Sequence, residues 1–160
     1  MSSKTTELSL DEIFNLAKTA LLNNGANEEN ADAVAATVTN AERDGSVSHG
    51  LFRIPGYIKA LQSKKVDGSA KPEIEEVTPT ILRCDAQNGF APLAHKYGIK
   101  KLIEAANAFG IAGLAIKRCH HFAALWPEVE AISDHGLVGL TSVSYTPAVA
   151  PSGGTEALYG

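Results

Sequence analysis

Cysteine is scarce in this sequence. Its 160 residues include 2, Cys84 and Cys119, and neither sits in a CxxC pair. A disulfide framework is therefore excluded. No run approaches the roughly 20 apolar residues that span a bilayer. The opening MSSKTTELSLDE carries no apolar stretch of the kind a secretory leader needs. An excess of positive charge is missing as well: Lys and Arg number 14 against 18 Asp and Glu, for a net charge of −4. A protein that binds nucleic acid or an anionic membrane uses a basic face, so neither partner is expected. No GxGxxG and no Walker A pattern occurs, so a bound nucleotide would be held by other means. What is present is the composition of a globular chain, with 44% apolar and 20% charged residues. A reduced, soluble, cytoplasmic protein is the expectation.

The first half reads as helices. Ser9 with Glu12 forms a capping box, and Ile13, Leu16, Ala17, Ala20 and Leu21 follow at helical spacing up to Asn23-Asn24-Gly25. A second helix is expected from about Asn27, with Ala31, Val34, Ala35, Val38 and Ala41 on one face and Asp44-Gly45 at its end. The two are expected to pack antiparallel. Ser48 is placed to cap a short helical turn carrying Leu51, Phe52 and Ile54, after which Pro55 restarts the helix. Residues 64–73 read as a polar connection.

Strand character then enters. Residues 80–84 predict a strand, Pro92 to Phe109 a helix, and Ile111 to Ile116 a strand covered on both faces. Residues 122–134 predict a helix and Leu137 to Val143 another buried strand. Strand, helix, strand over 111–143 reads as a βαβ unit. Ligands in open α/β sheets favour the carboxyl ends of strands, which points to Lys117–His121 and to Ser144–Gly154. Gly153-Gly154 alone reads as a turn.

Ser48-His49 with Arg53 is the first set of residues able to carry chemistry. At i and i+4 on a helical turn, His49 and Arg53 share a face. Imidazole suits proton transfer, and guanidinium suits clamping of a carboxylate. The bland reading is a capping serine beside a surface histidine. His120-His121 is the second set, at a strand end, where the alternative is a half-buried loop pair bonded to backbone. His49 and Arg53 are expected to face the same cleft as His121. A zinc site built from the histidines lacks supporting spacing, so no metal is expected. Cys119 beside two histidines is a candidate thiolate with no orienting partner. Trp126 and Phe122 read as core or pocket wall.

The runs DGSVSHGLFRIPGYI (44–58), VDG (66–68), DAQNGFA (85–91), HHFAALWPEVE (120–130) and VAPSGG (149–154) resemble the malate/L-lactate dehydrogenase family. Its members bind NAD(P) on a fold other than the Rossmann fold. The FRIPGY and HHFAALWP runs are most similar to the subgroup that reduces Δ1-piperideine-2-carboxylate and Δ1-pyrroline-2-carboxylate. The resemblance covers nearly all of the chain from about residue 10 onward.

The resemblance implies an NAD(P)H-dependent oxidoreductase acting on a cyclic imine next to a carboxylate, with NADP expected ahead of NAD. The alternatives are a 2-hydroxy-acid dehydrogenase acting on malate, lactate or ureidoglycolate, and a non-catalytic module. It implies that Ser48 belongs to the catalytic relay, that His49 donates the proton and that Arg53 binds the substrate carboxylate. His121, Phe122, Ala123, Ala124 and Leu125 would contact the cofactor. The implied fold is α/β: a helical region over 1–63, then a mixed sheet with flanking helices over 64–160 that forms part of the NAD(P)-binding region. A homodimer is implied for the full-length form. Where the family commonly has an Asn-Ser pair, this chain reads Ser144-Tyr145. Family members are about twice as long, so the relay aspartate is expected beyond Gly160 and the chain alone is expected to show little or no activity.

Overall fold

The computed structural model describes residues 6–121, 123–144 and 146–159. Helix α1 (Leu10–Leu22) starts at the capping box. Ser9 accepts the Glu12 amide at 3.2 Å, and the Glu12 carboxylate accepts the Ser9 amide at 2.8 Å. Asn27 caps α2 (Glu28–Arg43) by accepting the Asn30 amide at 3.0 Å. As the apolar spacing requires, α1 and α2 pack together. Ala17, Leu21, Val34 and Val38 are buried between them with Tyr57 and Leu61 of α3 (Ile54–Gln62). Short side chains at Ala17, Ala31 and Ala35 let these helices approach closely.

The turn after α2 differs from the single helical turn predicted. It is made of two successive 3-10 turns, Val47–His49 and Leu51–Arg53. Ser48 lies inside the first and caps nothing; its hydroxyl is taken by the neighbouring imidazole.

A three-stranded sheet follows: β1 (Glu73–Thr78), β2 (Ile81–Asp85) and β3 (Gly113–Lys117), in that order. β1 and β2 are antiparallel, whereas β2 and β3 are parallel and joined through α4 (Ala91–Phe109). The βαβ unit is therefore β2–α4–β3, one step earlier than 111–143. α4 ends at Gly110, whose φ of 82° gives the left-handed closure that glycine adopts freely. The helix lies close on the sheet at Gly98, where an added Cβ would stand 2.5 Å from Leu114.

Two strand expectations are corrected. β3 is covered on one face only: Leu114 and Ile116 lie half-buried in the cluster with Cys84 and Ala94, while Ala115 is exposed. Residues 137–143 form no strand, and Val138 and Leu140 are 101% and 96% exposed. Among the described residues no backbone pairs with this run, so its apolar content has no ladder to join. Of the region 122–134, Trp126–Ser133 is helical and forms α5, while Phe122 lies outside the described residues. Beyond it, Gly153-Gly154 sits in a turn in which the Gly154 amide donates to Pro151 at 2.9 Å.

Candidate active site

The parallel pair β2 and β3 sets the site. Beyond their carboxyl ends the chains stay tied. The Asn88 amide donates to Arg118 at 2.8 Å, the His120 amide to Gly89 at 2.8 Å, and the Ala91 amide to His120 at 3.1 Å. The two loops hold left-handed backbone at Gln87 (52°), Asn88 (62°), Arg118 (50°), His121 (49°) and Ala123 (55°). Such strain persists where the surroundings over-determine it and gathers at functional sites. Asp85 is one such constraint, with its carboxylate 2.9 Å from Arg118 Nε and 3.2 Å from Lys117 Nζ. The Arg118 hydrogen bond and then the Gln87 amide hold the Asp85 carboxyl well below the usual carboxylate range.

His49, Arg53, His121, Ala123 and Leu125 line one cavity of about 1370 Å³ that runs along β3. The turn after α2 and the strand-end loop thus meet as the spacing and the strand-end rule predict. Ser48 and Ala124 lie outside the cavity lining, and Ala124 is buried. Phe122 and Tyr145 lie outside the described residues.

The Nδ1 atom of His49 gathers the hydroxyls of Ser48 at 3.0 Å and Ser46 at 3.2 Å. A hydroxyl can donate to this nitrogen or accept from it, so the two serines hold the ring both neutral and as the imidazolium. Burial, and then Arg53, lower the His49 pKa. Arg53 Nε donates to the Ser48 carbonyl at 2.7 Å, and among the described residues no carboxylate pairs with its guanidinium. An anion is what such a group accepts.

His121 is fixed more tightly. Its Nδ1 accepts the Ala123 amide at 3.1 Å and lies 3.0 Å from the Tyr57 hydroxyl. A backbone N–H can only donate, so Nδ1 is bare and the neutral ring carries its proton on Nε2. Burial first, then Arg53, His120 and His49, lower its pKa to about 4. Burial, only partly offset by a backbone hydrogen bond, also raises the Cys119 thiol, which removes the candidate thiolate. Among the described residues no three His, Cys, Asp or Glu side chains cluster to hold a metal.

Two contributors, Tyr57 and Glu128, escaped the reading of the sequence. Tyr57 stands at i+4 from Arg53, a spacing that puts it on the same side of the turn and helix. Trp126, read from the sequence as core or pocket wall, lies outside the cavity lining and acts as a tether: its indole donates to Asp44 at 2.9 Å, and its ring meets His49 edge-on at 6.3 Å. Glu128, at the third position of α5, lines the cavity while only 8% exposed. Its Oε2 is buried without a hydrogen-bond partner, and burial raises its pKa to about 7. An acid in a first helical turn reads as an exposed dipole partner, so this burial has no local signal among the residues.

Comparison with known proteins gives this geometry its lineage. The malate/L-lactate dehydrogenase family profile matches residues 8–160, and the chain belongs to that family. It is 44% identical over 153 residues to a Δ1-pyrroline-2-carboxylate reductase of Ancylobacter novellus, covering 96% of this chain and 45% of that protein. Among solved structures it is similar to Δ1-piperideine-2-carboxylate reductase from Pseudomonas syringae pv. tomato, with TM-score 0.80 and 44% identity over 82% of this chain and 40% of that one. A malate dehydrogenase from Entamoeba histolytica matches with TM-score 0.77 and 29% identity, over 83% of this chain and 37% of that one. The chain spans about half the length of the curated relatives it matches. No described helix is long and apolar enough to cross a membrane.

Proposed function

We propose that this chain carries the proton-donor, carboxylate-binding and cofactor-facing part of an NAD(P)H-dependent reductase of cyclic imine 2-carboxylates. Δ1-Pyrroline-2-carboxylate and Δ1-piperideine-2-carboxylate are its substrates, NADPH is preferred to NADH, and the working form is a cytoplasmic homodimer. The observation that carries the reading is the single cavity shared by His49, Arg53 and His121. Its supports are the relatives at 44% identity, whose names state these substrates.

The residues fit a nicotinamide dinucleotide. The cavity is large, runs along β3 to its carboxyl end, and is walled there by a neutral imidazole at His121 and the loop through Ala123 and Leu125. When bound, NAD(P)H supplies the hydride that reduces the C=N carbon. Arg53 orients the substrate by its 2-carboxylate, so that one face of the C=N bond is presented. His49 acts as the imidazolium: it delivers its Nε2 proton to the ring nitrogen and is left as the neutral imidazole, while the Ser48 and Ser46 hydroxyls hold the ring by Nδ1. His121, Ala123 and Leu125 form the cofactor wall.

The malate dehydrogenase likeness favours a second reading, reduction of 2-oxo acids with the same donor and clamp. The test assays the purified chain, alone and joined to the second half of the Ancylobacter relative, with NADPH and with NADH. Δ1-Pyrroline-2-carboxylate and pyruvate are compared as substrates. The joined form is expected to reduce the imine in preference to pyruvate, with more than a hundredfold loss in His49→Ala, the order of effect of a general acid. Unchanged turnover in His49→Ala would remove the assignment, and preference for pyruvate would favour the second reading. Binding without turnover in either form would identify a non-catalytic module.

A further inference from the structure

The turn that carries His49 and Arg53 has little to hold it. Its two 3-10 segments have no side-chain cap, and their backbone bonds close on themselves: His49 donates to Ser46 at 2.8 Å, Gly50 to Val47 at 3.3 Å, and Arg53 to Gly50 at 3.0 Å. The amide of Leu51, the first residue of the second segment, is the kind of orphan donor that a helical start leaves unsatisfied. Glu42, in the last turn of α2, supplies the acceptor: its Oε1 takes the Leu51 N–H at 2.7 Å. The same side chain lies flat against Gly50. A Cβ on Gly50 would overlap the Glu42 carboxylate and would stand 2.8 Å from its Cγ.

We propose that Glu42 is the positioning residue of the His49–Arg53 turn, and that position 50 is glycine so that this carboxylate can reach across it. Glu42 acts through backbone. It anchors the peptide between the two segments, and His49 and Arg53 leave that anchor on opposite sides, each aimed at the cavity. The consequence for catalysis rests on the function proposed above; the consequence for the turn does not. A carboxylate on a backbone N–H is a charge-assisted bond, stronger than a neutral one. Gln at this position keeps the acceptor, whereas Ala and Leu remove it.

The test reads the histidine ring signals of the 160-residue chain by proton–carbon NMR, with His121 as the internal control. Glu42→Ala is expected to move or broaden the His49 signal and leave that of His121 in place, and Glu42→Gln to resemble wild type. Glu42→Leu fills the space without an acceptor and is expected to match Glu42→Ala, which separates loss of the bond from loss of packing. Gly50→Ala should disturb His49 as Glu42→Ala does. The double variant Glu42→Ala/Gly50→Ala should be no worse than either single one, because the clash and the bond share one partner.

In the joined form, Glu42→Ala should raise the KM for Δ1-pyrroline-2-carboxylate and lower kcat, each by about tenfold, the scale of a small misplacement. The KM for NADPH should stay unchanged, since His121 stands on another loop. A wild-type His49 signal in both Glu42→Ala and Glu42→Leu would overturn the assignment, as would full additivity of Gly50→Ala with Glu42→Ala. If the joined form reduces no imine, the proposed function fails while the ring signals still decide the role of Glu42.

Discussion

The hydroxyl of Tyr57 stands 3.0 Å from Nδ1 of His121, joining α3 to the strand-end loop across 64 residues of chain. With the Ala123 amide already donating to that nitrogen, the phenol must donate as well. Tyr57 is buried, edge-on to Phe90 at 5.6 Å and to His121 at 5.4 Å. The helical half and the sheet half therefore meet at the imidazole proposed to face the cofactor, and the packing that fixes one orients the other.

Tyr57→Phe keeps the ring contacts and removes the hydrogen bond. His121 retains the Ala123 amide, so no buried acceptor is orphaned. The expected loss of stability is about 1 kcal/mol, the net contribution of one hydrogen bond. Urea denaturation at pH 7 measures it. A loss above about 3 kcal/mol would mean that the ring contacts, too, depend on the hydroxyl.

His121 should remain neutral in the folded chain down to about pH 4. Its folded pKa lies below the ordinary value near 6.5, so its contribution to stability is complete above about pH 6.5. It declines as pH falls toward 4, where the unfolded chain takes up a proton that the folded chain refuses. Burial is the largest cause and Arg53 the next, so Arg53→Ala should raise the titration midpoint only part of the way. Imidazole chemical shifts against pH check both statements. A midpoint near 6.5 in wild type would show that the ring is solvated.

The helices were legible because caps and apolar period agree. Ser9 with Glu12, Asn27, and Gly110 stand at the ends of α1, α2 and α4. β1 was missed: Ile74 and Val77 are its apolar signal within a run of glutamates, and the strand is secured mainly by its backbone register with β2. The run 137–143 has the composition of a buried strand, but composition cannot supply a neighbour to pair with. At the site, His49, Arg53 and His121 carry visible chemistry. Tyr57, Glu42 and Glu128 are set by long-range packing, which leaves no local signature.

Asp85→Asn should loosen the strand-end loop without unfolding the sheet. The carboxylate holds Arg118 at Nε, and Arg118 sits at a φ of 50° that the pair helps enforce. An amide cannot supply the charge of that pair. Hydrogen exchange at the amides of Asn88 and His120, which bridge the two loops, should quicken. Exchange in β2 should not change. Equal acceleration in both places would indicate general destabilisation.

Glu128 provides the counterpart to His121, with the opposite sign over nearly the same window. Its pKa is raised from 4.5 to about 7, chiefly by burial, and its Oε2 has no partner. Below about pH 4.5 the acid is neutral in both folded and unfolded chains. Between 4.5 and 7 the unfolded chain releases the proton and the folded chain keeps it, so stability falls as pH rises through this window. The drop is at most about 3 kcal/mol, from 1.36 kcal/mol per pKa unit. Glu128→Gln keeps the shape and removes the titration. The wild-type chain should therefore lose stability relative to Glu128→Gln between pH 4.5 and 8, while the His121 contribution cancels in the comparison. Urea unfolding of both chains at pH 4.5, 6 and 8 measures the difference. A constant offset across the three pH values would show that Glu128 ionises in the folded chain as freely as in the unfolded one.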